Sequence, residues 1–249
     1  MKTLTIHILL ALLCLALLSC ADNPTAPDTL TEADIEALID ARVAEQIAKM
    51  NGNHDDTVTP QEIADNALQS TVFLRINTPH KNHIGSGFTV GKGLIATCNH
   101  VLEGMTSATA EPVLHNRQYT ITEVIAVDKK HDIAIIRALD FNKPALPLGD
   151  SDSVRIGEKV YMVSTPVKRL YKGSFVSGVV SGIRDDASKL FEGVVIQTTL
   201  PTDAGSSGGA VLNGEGKVIG VHEGLDRDGT LIRLAVPVNH LKSLLSTIR

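Results

Sequence analysis

Thr202-Asp203-Ala204-Gly205-Ser206-Ser207-Gly208-Gly209-Ala210 is the stretch from which the fold is read. So dense in Gly and Ser, it cannot be a helix. Apolar segments flank it, Val194-Val195-Ile196-Gln197-Thr198-Thr199 before, Val211-Leu212 and Lys217-Val218-Ile219-Gly220-Val221 after. Both flanks read as strands, so the run is a tight loop between strands of one sheet. Glycine accepts positive φ, which lets successive N–H groups turn into one concavity. A serine hydroxyl beside such a nest joins a nucleophile to fixed oxyanion donors, the needs of acyl transfer. An ordinary Gly/Ser turn has the same composition, so the reading depends on a base and an orienting carboxylate elsewhere.

Two islands offer them. His100 follows the apolar strand Leu94-Ile95-Ala96-Thr97-Cys98, at the start of a short turn. A histidine titrates near neutrality and can act as a base, although most are surface or satisfied core residues. Asp132 stands before Ile133-Ala134-Ile135-Ile136, a run that should be buried. A carboxylate drawn into such surroundings needs a partner such as an imidazole N–H, or else sits in a strand-edge turn. Cys98 is a second conceivable nucleophile, but it lies in a strand without a nest of glycines.

Around these islands, short strands alternate with turn signals, the pattern of an all-β barrel or sandwich. The first set is expected at 71–77, 84–90, 93–97, 118–127 and 132–138. The second is expected at 159–164, 173–183, 193–199, 210–212, 217–222 and 230–236. The Pro-containing, aperiodic stretch 140–150 reads as a surface linker between two barrels with a cleft, and 238–248 as a C-terminal helix.

The chain has 249 residues, 43% of them apolar and 20% charged, enough for a substantial core. A net charge of −5 and the absence of Trp argue against a nucleic-acid surface. No glycine-rich phosphate loop, CxxC or HExxH spacing occurs, so neither a cofactor nor a metal is expected.

Residues 8–18 form an apolar run too short for a stable membrane span, preceded by Lys2. It ends in Leu17-Leu18-Ser19-Cys20, which resembles the lipobox of bacterial lipoproteins. The resemblance implies a signal peptide over 1–19, lipidation of Cys20 and a membrane anchor facing the periplasm or cell exterior. A plain secretory signal with an incidental Cys20 is the other reading. Either way Cys98 is the remaining thiol, and no internal disulfide is expected.

Residues 20–58 read as a Pro-containing tether followed by an amphipathic helix over 29–50. Its apolar stripe (Ile35, Leu38, Ile39, Val43, Ile47, Met50) could pack on the downstream domain or pair with a second copy. Residues 51–62 place oxygen donors at several positions of a calcium loop, but Asp56 stands where such a loop needs Gly. Thr59-Pro60-Gln61-Glu62 alternatively reads as a capping box opening a short helix. The folded domain is placed at 59–249, with barrel one at about 66–140 and barrel two at about 158–237.

The order His100, Asp132, Ser207 resembles that of trypsin-like serine proteases, and the wording resembles the HtrA/Deg branch. The stretches that carry it are Gly85-Ser86-Gly87-Phe88, Ile95-Ala96-Thr97-Cys98-Asn99-His100-Val101, His131-Asp132-Ile133-Ala134 and Gly205-Ser206-Ser207-Gly208-Gly209. Together they span about 66–245. The resemblance implies two six-stranded antiparallel barrels and a serine endopeptidase acting on exported or misfolded polypeptides. It implies Ser207 as nucleophile, His100 as general base and Asp132 as the orienting carboxylate. Gly205, Ser206 and Ser207 resemble the oxyanion loop, and Thr199, Leu200, Pro201, His222 and Glu223 resemble the surroundings of the specificity pocket. A small aliphatic residue before the cleaved bond is the family's preference, although His222 resembles a feature of glutamate-specific relatives, which Glu223 would oppose. The chain departs from the pattern before the nucleophile, where Asp203-Ala204 replaces the family's Asn-Pro, and residues after the protease-like region leave no room for a PDZ module. A catalytically silent module that binds unfolded or partner proteins is the competing reading.

Overall fold

The computed structural model of the chain describes residues 41–42, 58–185, 193–225 and 233–248. Residues Thr57–Arg249 form one compact unit. The expected signal peptide, Cys20, the tether, most of the 29–50 helix and most of the 51–62 loop lie outside the described residues. Ala41 and Arg42 are helical.

The first helix, α1 (Pro60–Ser70), starts where its sequence provides a stop for the backbone. The Thr59 hydroxyl accepts from the Glu62 N–H at 3.2 Å, and the Glu62 carboxylate accepts from the Thr59 N–H at 2.8 Å. Pro60 takes the first helical position, where no N–H is needed. Glu62, the residue that a calcium loop would use as its last ligand, is thus engaged in the cap. Ile63 and Ala67 are buried, and the helix packs on the strand Lys159–Ser164.

Strands β1 (Thr71–Asn77), β2 (His83–Gly91), β3 (Leu94–Cys98), β4 (Ser107–Pro112), β5 (Tyr119–Asp128) and β6 (Ile133–Ala138) close into one antiparallel barrel in the order β1-β2-β3-β6-β5-β4. Strands β7 (Lys159–Ser164), β8 (Ser174–Asp185), β9 (Val194–Thr198), β10 (Ala210–Leu212), β11 (Val218–Leu225) and β12 (Arg233–Pro237) close a second, ordered β10-β11-β12-β9-β8-β7. Closure removes the free strand edges that an open sheet would expose. The interior of the second barrel is apolar, with Val160, Met162, Val180, Ile196, Leu200, Val211, Ile219 and Ala235.

The sequence misses β4. Ser107-Ala108-Thr109-Ala110-Glu111-Pro112 has little β-branched content, and its conformation comes from pairing with β1 through the register Leu74↔Ala110. The 140–150 segment is also more engaged than a surface linker, because Phe141 and Leu146 are buried and Leu148 bridges to Val218.

The C-terminal helix α2 (Val238–Ser246) buries Val238 and Leu241 and contacts β5 and β6 of one barrel and β11 and β12 of the other. Burying each of those side chains contributes about 1.5–3 kcal/mol, so α2 is a strap across the barrels.

Candidate active site

His100 lies in a short 3-10 helix, Asn99–Leu102, that begins where β3 ends. Asp132 stands at the entrance of β6, the strand that pairs with β3, through the register Cys98↔Ile133. That pairing brings the two residues together. One oxygen of the Asp132 carboxylate accepts from the His100 backbone N–H at 2.8 Å, and the other lies 2.5 Å from His100 Nδ1. The Asp132 carbonyl also accepts from the Asn99 N–H at 3.0 Å. Asp132 adopts φ +51°, a left-handed conformation that costs energy and persists because these contacts over-determine it. Its side chain is 4% exposed and that of His100 is 27% exposed, so the carboxylate is shielded while the imidazole reaches solvent. With Nδ1 engaged, Nε2 is the nitrogen left to face a substrate.

The Ser207 loop is held from both barrels. Ser86 of β2 donates its N–H to the Ser207 carbonyl at 2.8 Å. The Ser86 hydroxyl donates to the Gly205 carbonyl at 2.9 Å and accepts from the Thr165 N–H at 2.9 Å. The Ser86 carbonyl in turn accepts from Thr97 Oγ1 at 2.8 Å. At Gly208, with φ +88°, a Cβ would stand 2.1 Å from that carbonyl, so only glycine fits between the loop and β2. Gly208 and Gly209 are also tied to β11, through Gly208 N–H to the His222 carbonyl and His222 N–H to the Gly209 carbonyl, each at 2.8 Å. Farther along β11, a Cβ on Gly224 would stand 3.0 Å from Ser207 Oγ.

The peptide between Ala204 and Gly205 has a fixed direction. Its carbonyl accepts from the Val167 N–H at 2.7 Å. In a trans peptide the N–H points opposite to the C=O, so the Gly205 N–H faces away from Val167. Val167 itself has φ +61°, a costly conformation for a β-branched residue. Neither the Gly205 N–H nor the Ser207 N–H donates to another group among the described residues. Ser206 is fully buried, its N–H bonded to the Asp203 carbonyl at 3.0 Å and its hydroxyl 3.2 Å from that of Ser164. No hydrogen bond joins Ser207 Oγ to His100 among the described residues. An open cleft of about 460 Å³ borders His100, walled by Thr78, His80, Lys81, His83 and Glu103 among others.

Cys98 is fully buried and donates to the His222 carbonyl at 3.2 Å. Burial, and then the Asp132 and Glu223 carboxylates, raise its thiol well above the ordinary value, which removes it as a nucleophile. Cys98, His100 and Asp132 place one ligand atom each within 4.8 Å of one another. A metal there would have to break the His100–Asp132 bond and deprotonate that thiol, so the donor set fits an ion poorly.

The residues read as pocket surroundings separate in the structure. Leu200 belongs to the barrel core, Pro201 is exposed, and Thr199 is exposed with its hydroxyl accepting from the Val179 N–H at 2.9 Å. Glu223 is 6% exposed. His222 is 0% exposed, and neither ring nitrogen reaches hydrogen-bonding geometry with another group. Burial first, then Arg233, pushes its pKa down to about 3, with the Leu234 backbone acting in the opposite direction. Sequence reading did not single out Ser86, Thr202, Val167 or Arg233. For Ser86 the flanking Gly85 and Gly87 were the signal, because a Cβ at either would stand under 3 Å from Val101 or Ile95.

Compared with known proteins, residues 85–221 match the family described as "Trypsin-like peptidase domain". This chain belongs to the trypsin-like peptidase family. The trypsin-like peptidase is 31% identical over 137 residues to "Serine protease Do-like HtrB" of Bacillus subtilis, covering 53% of this chain and 30% of the relative. It is 29% identical over 167 residues to "Probable periplasmic serine endoprotease DegP-like" of Halomonas elongata, covering 66% of this chain and 34% of that one. The chain thus spans about a third of the length of these relatives. Among solved structures it is similar to "HtrA-type protease AlgW with tripeptide", with a TM-score of 0.69 at 21% identity over 76% of this chain and 63% of the other. That likeness shows the two-barrel fold of the trypsin-like peptidase.

Proposed function

We propose that the protein is a serine endopeptidase that hydrolyses exposed segments of polypeptides through Ser207, His100 and Asp132. The observation that carries this reading is the double hold of Asp132 on His100, at 2.8 Å to the backbone and 2.5 Å to Nδ1. It fixes the tautomer that leaves Nε2 as a base. Ser207 Oγ attacks a peptide carbonyl while His100 Nε2 takes its proton, forming a C–O bond and an oxyanion. The N–H groups of Gly205 and Ser207 donate to that oxyanion. The C–N bond then breaks as His100 returns the proton to the leaving amine. Water repeats the cycle on the acyl-enzyme, releasing the acid and restoring Ser207. Asp132 stays ionised and balances the transient imidazolium. The absence of a resting bond between Ser207 and His100 is compatible with this, because such bonds tighten in the substrate complex.

The test is labelling with a fluorophosphonate, together with hydrolysis of an unfolded protein by wild type and Ser207→Ala. Labelling at Ser207 and loss of at least about 10³-fold in rate for the variant are expected. Unlabelled protein that still captures unfolded chains would mark a silent binding module instead. We further propose that residues 1–20 deliver the enzyme to the cell envelope and that Cys20 carries the lipid. Metabolic labelling with a palmitate analogue should then be lost in Cys20→Ala. No helix among the described residues is long and apolar enough to cross a membrane.

A further inference from the structure

Between β7 and β8 the chain passes through Pro166-Val167-Lys168 and a short 3-10 helix, Arg169–Tyr171. The Lys168 N–H donates to the Pro166 carbonyl at 2.6 Å, which closes a γ-turn on Val167. With φ +61° at its centre this is the rare, strained form of that turn, and for a β-branched residue it is an outlier. Side-chain packing does not impose it, because Val167, Leu170 and Tyr171 are all exposed. Strain of this kind persists only where the surroundings over-determine it.

The segment is tied at its ends by the Thr165 N–H to the Ser86 hydroxyl at 2.9 Å and the Gly173 N–H to the Ser164 carbonyl at 3.1 Å. Between them, two side chains reach the other barrel. Arg169 donates through Nε and Nη2 to the two carboxylate oxygens of Glu111 on β4, at 2.8 and 2.6 Å. Lys172 donates to one of the same oxygens, to the His115 carbonyl at 2.6 Å and to Asn116 Oδ1 at 3.1 Å. The Glu111 side chain is 2% exposed. A carboxylate buried so deeply is costly even when paired, and such pairs are weak sources of stability. Its presence on a strand that carries none of the candidate catalytic residues therefore asks for another reason. At the end of the segment nearest the site, the Val167 N–H is the group that fixes the Ala204 carbonyl. Gly205 follows with φ +95° and no Cβ, so it has no side chain of its own to set the direction of that peptide.

We propose that Glu111 is a positioning residue for catalysis: its grip on Arg169 and Lys172 keeps Val167 in its strained turn and thereby keeps the Gly205 N–H aimed at the oxyanion. This rests on the endopeptidase reading above. Without the grip the turn relaxes to negative φ and the Val167 N–H swings off the Ala204 carbonyl. The Ala204–Gly205 peptide is then free to rotate, and one of the two oxyanion donors is lost for part of the time. The His100–Asp132 pair and the contacts that bind substrate are left as they were. The loss belongs to the transition state, so it shows in kcat rather than in KM.

The test uses the full chain and a peptide amide substrate, with kcat counted per Ser207 that a fluorophosphonate labels to completion, so that misfolded molecules drop out. Glu111→Gln keeps the shape and removes the charge. It is expected to lower kcat about 10- to 100-fold, somewhat less than deleting an oxyanion donor outright, with KM changed less than about 3-fold. Arg169→Met, at a partly exposed position that tolerates change, should move kcat in the same direction. The deciding arm is Glu111→Gln made in a Val167→Gly background. Glycine takes a positive φ without strain, so the turn no longer needs the grip and the factor lost in kcat should shrink toward one. A clasp that merely joins the barrels leaves kcat per labelled Ser207 unchanged, or lowers it by the same factor in both backgrounds. Either result overturns the inference and leaves the endopeptidase reading standing. Wild type that no fluorophosphonate labels overturns that reading, and this inference with it.

Discussion

At Ser86 one hydroxyl links three segments: it belongs to β2, accepts from Thr165 and donates to Gly205. Ser86→Ala leaves a buried N–H and a carbonyl unmatched, a cost of about 1–3 kcal/mol in the stability of the Ser207 loop. The expected outcome is slower fluorophosphonate labelling with little change in far-UV circular dichroism. Asp132→Asn should act differently, because an amide presenting its NH₂ to Nδ1 selects the wrong tautomer. A fall of roughly 10⁴-fold in kcat is expected, with KM nearly unchanged. That Asp132 needs a partner such as an imidazole N–H was legible in the sequence, because it adjoins an apolar run that is buried. Ser86, Thr202 and Arg233 were not, since what singles them out is a partner, or the lack of one, across barrel strands distant in sequence.

Among the elements, the Ser207 loop is the one most sharply specified by its glycines. Gly208→Ala would put a methyl 2.1 Å from the Ser86 carbonyl, a backbone atom that cannot swing aside. Activity should vanish while both barrels stay folded, which labelling alongside thermal melting would show. A variant that labels at the wild-type rate would contradict the packing described. Most strands were legible from alternation and turn residues, including Lys159–Ser164 to the residue. β4 was not, because small residues such as Ala108 and Ala110 carry no strand preference and take their shape from β1. The 140–150 stretch misled for the converse reason, since its prolines hid how Phe141 and Leu146 pack inward.

On the scale of the molecule, charge joins the barrels. Glu111 of β4, nearly fully buried, is bonded by Arg169 at 2.6 and 2.8 Å and by Lys172, both from the segment between β7 and β8. Burial works to raise the Glu111 carboxyl, but Arg169 and Lys172 outweigh it and hold it below the ordinary value. Its contribution is present above the unfolded value and is lost as the pH falls through the lowered one. Glu111→Ala should cost at most about 3 kcal/mol, since Arg169 is 43% exposed and keeps much of its hydration. Denaturant unfolding would measure it. Histidines give a second, earlier acid sensitivity. His240 of α2 stacks on His131 at 3.7 Å, and burial, then His131, lowers its pKa. His222 is lowered to about 3. The unfolded chain takes up these protons first, near pH 6.5, so stability declines as the pH falls from about 6.5 toward 3. In His222→Leu the melting temperature should vary less steeply across that range, and an unchanged slope would contradict the burial of a neutral ring.

The Ser86 link also bears on the order in which the chain becomes dangerous to its neighbours. Every barrel strand can find its partners within its own half, but the Ser207 loop is clamped by a strand from the other half. A newly made or refolding chain therefore acquires its strands before it acquires a competent nucleophile. In refolding from denaturant, fluorophosphonate reactivity should return after the circular dichroism signal, with a lag that lengthens in Ser86→Ala. Such a sequence of events keeps the nucleophile unreactive until both barrels have closed on the Ser207 loop.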